Sequence, residues 1–238
     1  MAVGDSGGFD ATSGGGYPGT SPWITAVGGT NLQLDADNEL LSVGVWNGNL
    51  LQFTTCPSSG YATGGGNSII YDQPPWQKAA GVPGTRRASP DIAAVADGLP
   101  GGFMVTSDRS PANGTSMASP LTAGLFLLLK EELILLTHDD GPQLGLATPL
   151  LYAMGALAAE GGSPPKAFHD IKERYLPSVQ NGKLNINNNQ RTFDGVSCCE
   201  AKEGYDRASG WGYLDLPQAL EAWTVLDRRA GPRDAAVD

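Results

Sequence analysis

The sequence predicts a single α/β domain, and three observations indicate it: the length and composition of the chain, a set of strand-like runs, and two apolar helical stretches. At 238 residues the chain can bury one sizeable core but is short for two full domains. Hydrophobic residues make up 40% and charged residues 17%, which argues against disorder and against a coiled coil. The 33 glycines and 17 prolines indicate many tight turns.

Strand-like runs dominate the first half of the chain. Residues 21–34 form a β-rich run that contains a glycine pair. A turn at 35–38 separates it from a second strand over 40–46. The run 89–97 has the apolar character of a buried strand, and 103–106 predicts a further short one. The pattern therefore predicts a hairpin followed by further strands.

Two apolar stretches in the second half of the chain predict helices. The first runs from Ser116 through Lys130, with no proline after its first turn. Lys130, Glu131 and Glu132 make this apolar region too charged to span a bilayer, so we expect a buried helix. A second helix is expected to begin near Pro149.

The charge of the chain argues against a nucleic-acid partner. The formal net charge is −10, so the clustered Lys and Arg that bind nucleic-acid phosphates are absent. Neither a membrane span nor a secretory signal is visible. We place the domain at 1–226 and expect a loosely ordered tail over 227–238, which has little apolar surface to bury.

The three cysteines form an odd set without a C-x-x-C pair. This pattern predicts neither a zinc site nor a full disulfide framework. A bridge from Cys56 to either Cys198 or Cys199 is one possibility, and free or buried thiols are the other. The sequence leaves both open.

Residues 113–120, Asn-Gly-Thr-Ser-Met-Ala-Ser-Pro, carry the strongest chemical signal. A glycine-containing turn delivers Ser116 to the start of an apolar helix. A helix N-terminus offers unpaired N–H groups and a partial positive charge, which stabilise negative charge that develops beside a nucleophile. The plain alternative is that Ser116 only caps the helix. A cap would explain the serine but not the whole octapeptide.

At these residues the chain resembles two related families, the subtilisin-like serine proteases and the sedolisins, which share a fold and a Gly-Thr-Ser nucleophile motif. Subtilisins take their general base from a histidine upstream of the serine. Both histidines here, His138 and His169, follow Ser116, so a subtilisin triad cannot be assembled from this chain. A subtilisin-like protease whose histidine is supplied elsewhere stays open as an alternative.

The sedolisin resemblance covers most of the chain. It implies a subtilisin-like three-layer α/β fold, truncated at its N-terminus, in which helices flank a mainly parallel central sheet. It also implies acid-active hydrolysis of peptides or proteins through an acyl-enzyme on Ser116, outside the cell or in an acidic compartment, without separating endopeptidase from tripeptidyl-peptidase activity. The motifs that carry it lie, in order, at 4–7, 21–30, 63–68, 89–97, 114–116, 144–152, 168–171 and 204–212.

Asp5, in the segment Gly-Asp-Ser-Gly, resembles by position the asparagine of the subtilisin oxyanion hole. The resemblance implies that Asp5 donates a hydrogen bond to the tetrahedral oxyanion, which only a protonated carboxyl can do. Because carboxyl side chains hold their protons in acid, this role fits an acid-active enzyme. The plain alternative is a turn residue in a glycine-rich loop.

The general base of the sedolisin pattern is missing from this chain. Sedolisins activate the serine with a glutamate that is paired with an aspartate one helical turn away, in an E-x-x-x-D arrangement. No such spacing precedes Ser116; Asp35 and Glu39 have the reverse order and fall at the predicted hairpin. We therefore expect the isolated chain to be nearly inactive. Either the missing N-terminal segment of the same enzyme supplies the base, or the chain is a non-catalytic peptide-binding remnant.

The resemblance also implies one Ca²⁺ site near the end of the domain. Asp170 and Asp206 would be its carboxylate ligands, joined by backbone oxygens of Ile171, Lys202 and Gly204. Ligation by oxygen alone suits a hard cation. Sedolisins commonly carry glycine at the position of Lys202, so the local backbone is open to question there. The plain alternative is two surface aspartates in loops.

Overall fold

The computed structural model describes residues 1–8, 16–47, 61–97, 113–137, 144–160, 163–172, 174–180, 183–186 and 198–230. Within these ranges it contains nine strands and four helices. The strand predicted at 103–106, together with Cys56 and His138, lies outside them.

The central sheet is built on β1 (Val27–Leu34). This strand pairs antiparallel with β2 (Leu40–Val45) and parallel with β5 (Ile92–Val95). The β1–β2 hairpin is the predicted one, and the Asp35 carboxylate closes its turn by accepting the amides of Asp37 and Glu39, each at 2.9 Å. The reversed acidic pair is therefore part of an exposed turn, as its spacing indicated.

The N-terminal segment joins this sheet in a parallel sense. Ala2 bridges Val27, and Ser6 bridges Ala62, both in parallel orientation. The sedolisin resemblance implied a mainly parallel sheet. Over the described residues the sheet is mixed, because β2 adds an antiparallel neighbour to the parallel centre.

The remaining elements surround this sheet. Three antiparallel pairs are formed by β3 (Gly66–Asp72) with β4 (Arg86–Ser89), by β6 (Phe168–His169) with β9 (Tyr213–Leu214), and by β7 (Arg174–Gln180) with β8 (Lys183–Ile186). The run 89–97, which was predicted as one strand, is divided between β4 and β5. The elements are β3 (Gly66–Asp72), α1 (Pro75–Ala79), β4 (Arg86–Ser89), α2 (Thr115–Thr137), α3 (Thr148–Ala158), β6 (Phe168–His169), β7 (Arg174–Gln180), β8 (Lys183–Ile186), β9 (Tyr213–Leu214) and α4 (Leu216–Ala230).

One apolar core joins the sheet to the helices α2, α3 and α4. Val27 and Ile92 contribute from the sheet, and Leu129, Leu151 and Trp223 contribute from the three helices. Both predicted long helices are present. The first is longer than predicted, because α2 continues to Thr137, and only one of its faces reaches the core. In the part of the chain that the structure describes, no helix is long and apolar enough to cross a membrane.

A buried ion pair joins β4 to the segment before β5. Arg87 Nη2 lies 2.7 Å from Asp91 Oδ2, and neither side chain is exposed. Asp91 also accepts the Ala26 amide at 2.7 Å and the Tyr152 hydroxyl at 2.9 Å. Burial raises the pKa of Tyr152 well above its ordinary value, so its hydroxyl remains a donor. The paired and hydrogen-bonded carboxylate of Asp91 therefore links three parts of the fold: the residue before β1, the segment before β5, and α3.

The folded domain extends beyond the boundary expected at 226. The helix α4 runs through Ala230, and Arg229 forms two hydrogen bonds with the Glu160 carboxylate at 2.8 and 2.9 Å. Residues 227–230 are therefore part of the last helix. Residues 231–238 lie outside the described part of the chain.

The cysteines pair in a way that the sequence analysis did not weigh. Cys198 and Cys199, neighbours in the chain, form a disulfide with each other.

Candidate functional site

Ser116 is the second residue of α2, and it is exposed. The turn before the helix depends on Gly114, whose φ of +122° disfavours any residue with a side chain. The Gly114 amide donates to the Ala96 carbonyl at 2.7 Å, just after β5 ends. The turn therefore holds the serine at the carboxyl end of β5, which pairs in parallel with β1, and α/β proteins commonly bind ligands at the carboxyl ends of such strands.

Asp5 lies directly against this turn, although it is 110 residues away from Thr115 in the sequence. Its Oδ1 atom accepts hydrogen bonds from the amide and the hydroxyl of Thr115, both at 2.8 Å. The Thr115 hydroxyl in turn accepts the Gly4 amide at 3.2 Å. Asp5, rather than Ser116, accepts the hydrogen bond from the first amide of the helix, which is that of Thr115. A capping role is therefore not needed to explain the serine.

Gly114 is required by space as well as by conformation. A Cβ atom added there would lie 2.8 Å from Asp5 Oδ2, which is closer than a real Cβ contact. The missing side chain lets the carboxyl reach the turn. Asp5 thus touches the two residues that precede Ser116, and the structure brings both predicted catalytic segments together.

The glycine-rich segment after residue 62 packs on the other side of Asp5. Its backbone forms hydrogen bonds with the N-terminal segment. The Ala62 amide donates to the Asp5 carbonyl at 3.0 Å, and the Gly64 amide donates to the Gly4 carbonyl at 2.7 Å. A Cβ atom on Gly64 would come within 2.5 Å of the Val3 carbonyl. Glycine at this position therefore permits close backbone packing that holds the Asp5 segment in place.

The described histidine serves a different part of the structure. His169 lies in β6, where its Nε2 atom is 2.8 Å from Asp215 Oδ2 and its ring stacks on Tyr213. His138 falls outside the described ranges. No geometry in the described part of the chain therefore presents a histidine base for Ser116.

The two aspartates predicted to bind calcium hold the same loop. Asp170 Oδ2 accepts the Gly204 amide at 2.8 Å, and Asp206 Oδ2 accepts the Lys202 amide at 3.0 Å. Gly204 has a φ of +79°, which explains the glycine, whereas Lys202 is not among the described residues with positive φ. The lysine therefore fits this loop without backbone strain.

Both carboxyls of this loop are poorly solvated. Burial raises the pKa of Asp206 to about 6, against the lowering effect of hydrogen bonds from the amides of Lys202, Ser209 and Ala208. Burial also raises the pKa of Asp170. The Asp170 Oδ1 atom is buried and has no hydrogen-bond partner. An unpaired buried oxygen is costly, and a cation would remove that cost.

A metal at this loop would depend on main-chain oxygens. Among the described residues, no group of three or more His, Cys, Asp or Glu side chains could hold a metal ion. The two aspartates alone do not form such a cluster, but carbonyl oxygens are ordinary ligands of hard cations. Ile171 is buried in a small core cluster with Cys199 and Ala201.

The structure adds residues that the sequence analysis missed. Thr115 links Asp5 to the nucleophile turn, and its place inside the Gly-Thr-Ser motif was the available signal. Tyr205 and Trp211 attach the loop that contains Asp206 to the segment just before β5. The Tyr205 hydroxyl donates to the Pro90 carbonyl at 2.9 Å, and the Trp211 amide donates to the backbone carbonyl of Asp91 at 3.0 Å. No local pattern in the sequence indicated these contacts.

Several known proteins are similar to this chain in sequence and in fold. No family model matches the chain. Kumamolisin from Bacillus sp. (strain MN-32) is 32% identical over 234 residues, which cover 92% of this chain and 35% of kumamolisin. Sedolisin from Pseudomonas sp. (strain 101) is 31% identical over 204 residues, 84% of this chain and 29% of sedolisin. Tripeptidyl-peptidase 1 from Homo sapiens is 30% identical over 225 residues, 86% of this chain and 32% of the human protein.

A solved structure extends the comparison to the fold. Pseudomonas sedolisin, a serine-carboxyl proteinase complexed with two molecules of pseudo-iodotyrostatin, matches with a TM-score of 0.68 and 25% identity. The match covers 97% of this chain and 55% of that chain. The chain thus spans about a third of the length of the relatives named above. Sequence and fold together show that the chain belongs to the sedolisin family.

Proposed function

We propose that this chain provides the nucleophile and the oxyanion-stabilising group of an acid-active serine-carboxyl peptidase. The observation that supports this most directly is the contact of Asp5 with the turn that delivers Ser116. In the proposed reaction, Ser116 Oγ attacks the carbonyl carbon of a peptide bond. The general base passes the proton of the serine hydroxyl to the amine, which leaves as the C–N bond breaks. Water then hydrolyses the acyl-enzyme. The partial positive charge at the N-terminus of α2 favours the developing negative charge.

The two oxygens of Asp5 have different roles in this proposal. Oδ1 accepts two hydrogen bonds from Thr115 and is therefore occupied as an acceptor. A proton on the carboxyl would lie on Oδ2, the oxygen that faces Gly114. In acid, Oδ2–H would donate to the tetrahedral oxyanion, which the carboxylate form cannot do. This role connects the geometry to acid activity, outside the cell or in an acidic compartment.

The general base is proposed to come from the rest of the peptidase domain. The described residues offer no histidine for this role, and the family pattern uses a Glu–Asp pair that the sequence lacks before Ser116. A serine hydroxyl without a base is a weak nucleophile, and a positioned base contributes about 10²–10⁴-fold. The isolated chain is therefore proposed to be nearly inactive. Its substrates, once the site is assembled, are peptides or proteins.

We also propose one Ca²⁺ ion at the loop between Asp170 and Asp206. The two carboxylates would bind it together with backbone oxygens of Ile171, Lys202 and Gly204. The unpaired Asp170 Oδ1 atom supports this proposal, as does the shared loop that both carboxyls hold. The bound ion would neutralise the buried carboxylate of Asp206 and the partly buried carboxylate of Asp170, and would thereby stabilise the loop. Because Lys202 would contribute only its main chain, its side chain does not affect the ligand set.

A peptide aldehyde tests the proposed nucleophile. The chain is mixed with a segment that carries the Glu–Asp pair, the aldehyde is added, and mass spectrometry locates the hemiacetal. We expect the adduct on the peptide that contains Ser116, and we expect Ser116→Ala to abolish it. Ser119→Ala, in the same motif, is the matched control and should retain the adduct.

The alternatives predict different results in the same assay. A peptide-binding remnant would bind the aldehyde without forming a covalent adduct. A subtilisin-like protease would form the adduct only with a segment that supplies a histidine. Either result would exclude the serine-carboxyl mechanism for this chain.

A further inference from the structure

Two buried polar side chains, Asn31 and Asp97, meet close to the turn that delivers Ser116. Each is 1% exposed, and Asn31 Nδ2 donates to Asp97 Oδ2 at 2.5 Å. Asn31 lies in β1, and Asp97 follows the end of β5 by two residues. Burying an amide and a carboxyl costs free energy, which their hydrogen bond must offset. The proposed reaction does not use this pair, so its place beside the site needs another explanation.

The pair extends the connection between β1 and β5. The backbone pairing of the two strands ends at Thr30 in β1, and the Ala96 amide still donates to the Thr30 carbonyl at 2.9 Å. Beyond that point the side chains of Asn31 and Asp97 join the two segments. Asn31 is also held from its other side, because its backbone pairs with Gly44 of β2. It is therefore a fixed anchor for the residues that follow β5.

The carbonyl of Ala96 connects the pair to the turn before α2, because it accepts the Gly114 amide at 2.7 Å. This carbonyl belongs to the planar peptide group that joins Ala96 to Asp97, so fixing both residues fixes its direction. The Ala96 amide is held by Thr30 on one side, and the Asp97 side chain is held by Asn31 on the other. Ala96 is itself fully buried, so the surrounding core resists a compensating shift.

Any movement of the turn at Gly114 would change the position of Ser116 relative to Asp5. Thr115, which lies between Gly114 and Ser116, donates its amide and its hydroxyl to Asp5 Oδ1. The Met117 amide donates to the Gly114 carbonyl at 2.9 Å, so the turn and the start of α2 move together. A nucleophile and an oxyanion-stabilising group must both be placed on one reacting carbonyl, and an error of about 1 Å can cost about a hundredfold in rate.

We propose that Asn31 and Asp97 are positioning residues of the peptidase site. Their hydrogen bond sets the direction of the Ala96 carbonyl, and this carbonyl holds the turn at Gly114. The turn then sets the separation between the nucleophile and the oxyanion-stabilising carboxyl. The proposal rests on the proposed function. Neither side chain touches the substrate in it, because both act through the backbone.

The first experiment breaks the bond and measures turnover of a fluorogenic peptide by the chain mixed with the segment that carries the Glu–Asp pair. Asn31→Leu has nearly the same shape but cannot donate. We expect it to lower kcat by about a hundredfold while KM stays within about twofold. The swapped double variant, Asn31→Asp with Asp97→Asn, again provides one amide donor and one carboxyl acceptor. It should therefore recover nearly the wild-type kcat.

Gln77→Met is the matched control. Gln77 is also a fully buried amide, but its hydrogen bonds are with Ala88 and Tyr152. The control should lower the urea midpoint and leave kcat unchanged. This comparison separates a positioning role from a general loss of stability.

The second measurement does not depend on activity. Hydrogen exchange of the Gly114 and Thr115 amides in the full chain, followed by NMR, reports how firmly the turn is held. In Asn31→Leu both amides should exchange at least about tenfold faster than its loss of global stability accounts for. The swapped variant should restore their protection, and Gln77→Met should show no such excess. If Asn31→Leu does not fold, Asn31→Ser, whose side chain is shorter, takes its place in both measurements.

The two proposals can fail separately. Unchanged kcat and unchanged exchange when the Asn31 amide is removed overturn the positioning role and leave the peptidase function standing. A loss of kcat that the swapped variant does not recover, or that Gln77→Met shows equally, marks the pair as structural and also overturns the role. If the wild type gives neither turnover nor the Ser116 adduct, the peptidase function is refuted, and the exchange rates still decide whether the Asn31–Asp97 bond holds the turn.

Discussion

Without calcium, the burial of Asp206 should make the folded chain more stable in acid than at neutral pH. Burial raises the pKa of this carboxyl from 3.8 to about 6. The folded state therefore binds the proton more tightly than the unfolded state does. The stabilisation is fully present below pH 3.8 and is lost as pH rises through 6. At about 1.4 kcal/mol per pH unit, this loss amounts to about 3 kcal/mol.

Urea unfolding at several pH values, with a chelator present, measures this effect. The comparison is with Asp206→Asn, which cannot titrate, so that the other carboxyls cancel in the difference. The stability of the wild type relative to the variant should fall by about 2.4 kcal/mol between pH 4 and pH 7. A flat difference, or one that rises with pH, would refute the reasoning.

Added calcium should largely cancel this dependence. Calcium at a hundredfold excess over Kd would add about 2.7 kcal/mol, and it binds only the ionised carboxylates. The gain should therefore be present at neutral pH and lost in acid. Asp206→Asn should lose most of it, whereas a variant that gains as much as the wild type would show that the ion binds elsewhere.

The remaining predictions concern the site and the buried ion pair. In the assembled enzyme, Ser116→Ala should lower kcat by about 10⁴-fold or more without changing the melting temperature; retained activity would exclude the serine as nucleophile. Asp5→Asn should extend activity toward higher pH in a pH–rate profile, because an amide donates at any pH, and an unchanged profile would contradict the oxyanion role. Gly114→Ala should destabilise the fold by about 1–3 kcal/mol in urea unfolding, because the added Cβ would meet Asp5 Oδ2 at 2.8 Å; an unchanged midpoint would count against that contact. Asp91→Asn should cost about 3–5 kcal/mol by the same measurement, because Arg87 would remain buried and unpaired. Asp72→Asn, in an exposed pair with Arg86, is its control and should cost less than about 1 kcal/mol.

Local patterns predicted the local structure well. The turn at 35–38 was predicted from its Asp and Asn residues, and the structure shows the Asp35 carboxylate closing it. Both apolar helices are present. The domain was expected to end at 226, but α4 continues to Ala230, where Arg229 and Glu160 pair only after the helices have packed. Such a contact leaves no local signal in the sequence.

The candidate site was predicted through ordered motifs rather than through periodicity. The family resemblance predicted that Asp5 and Ser116 belong to one site. In the structure, Asp5 contacts Thr115, the residue before Ser116. The Arg87–Asp91–Tyr152 network was not predicted, because its members come from separate elements that meet only in the folded state. The sequence analysis predicted that α2 is buried, but Leu121, Leu127, Leu128, Leu135 and Leu136 are exposed on it. Apolar periodicity reports that a face avoids water, and it does not report which polypeptide covers it.

The contact between Asp5 and Thr115 also sets an order of assembly. Two residues that are 110 positions apart meet late when a chain folds, because closing so long a loop costs entropy before the contact repays it. The helix α2 therefore receives its cap only when the N-terminal segment has been fixed to the sheet. A partly folded chain carries Ser116 without the neighbouring carboxyl, so the oxyanion group proposed above joins the serine only when tertiary structure is nearly formed.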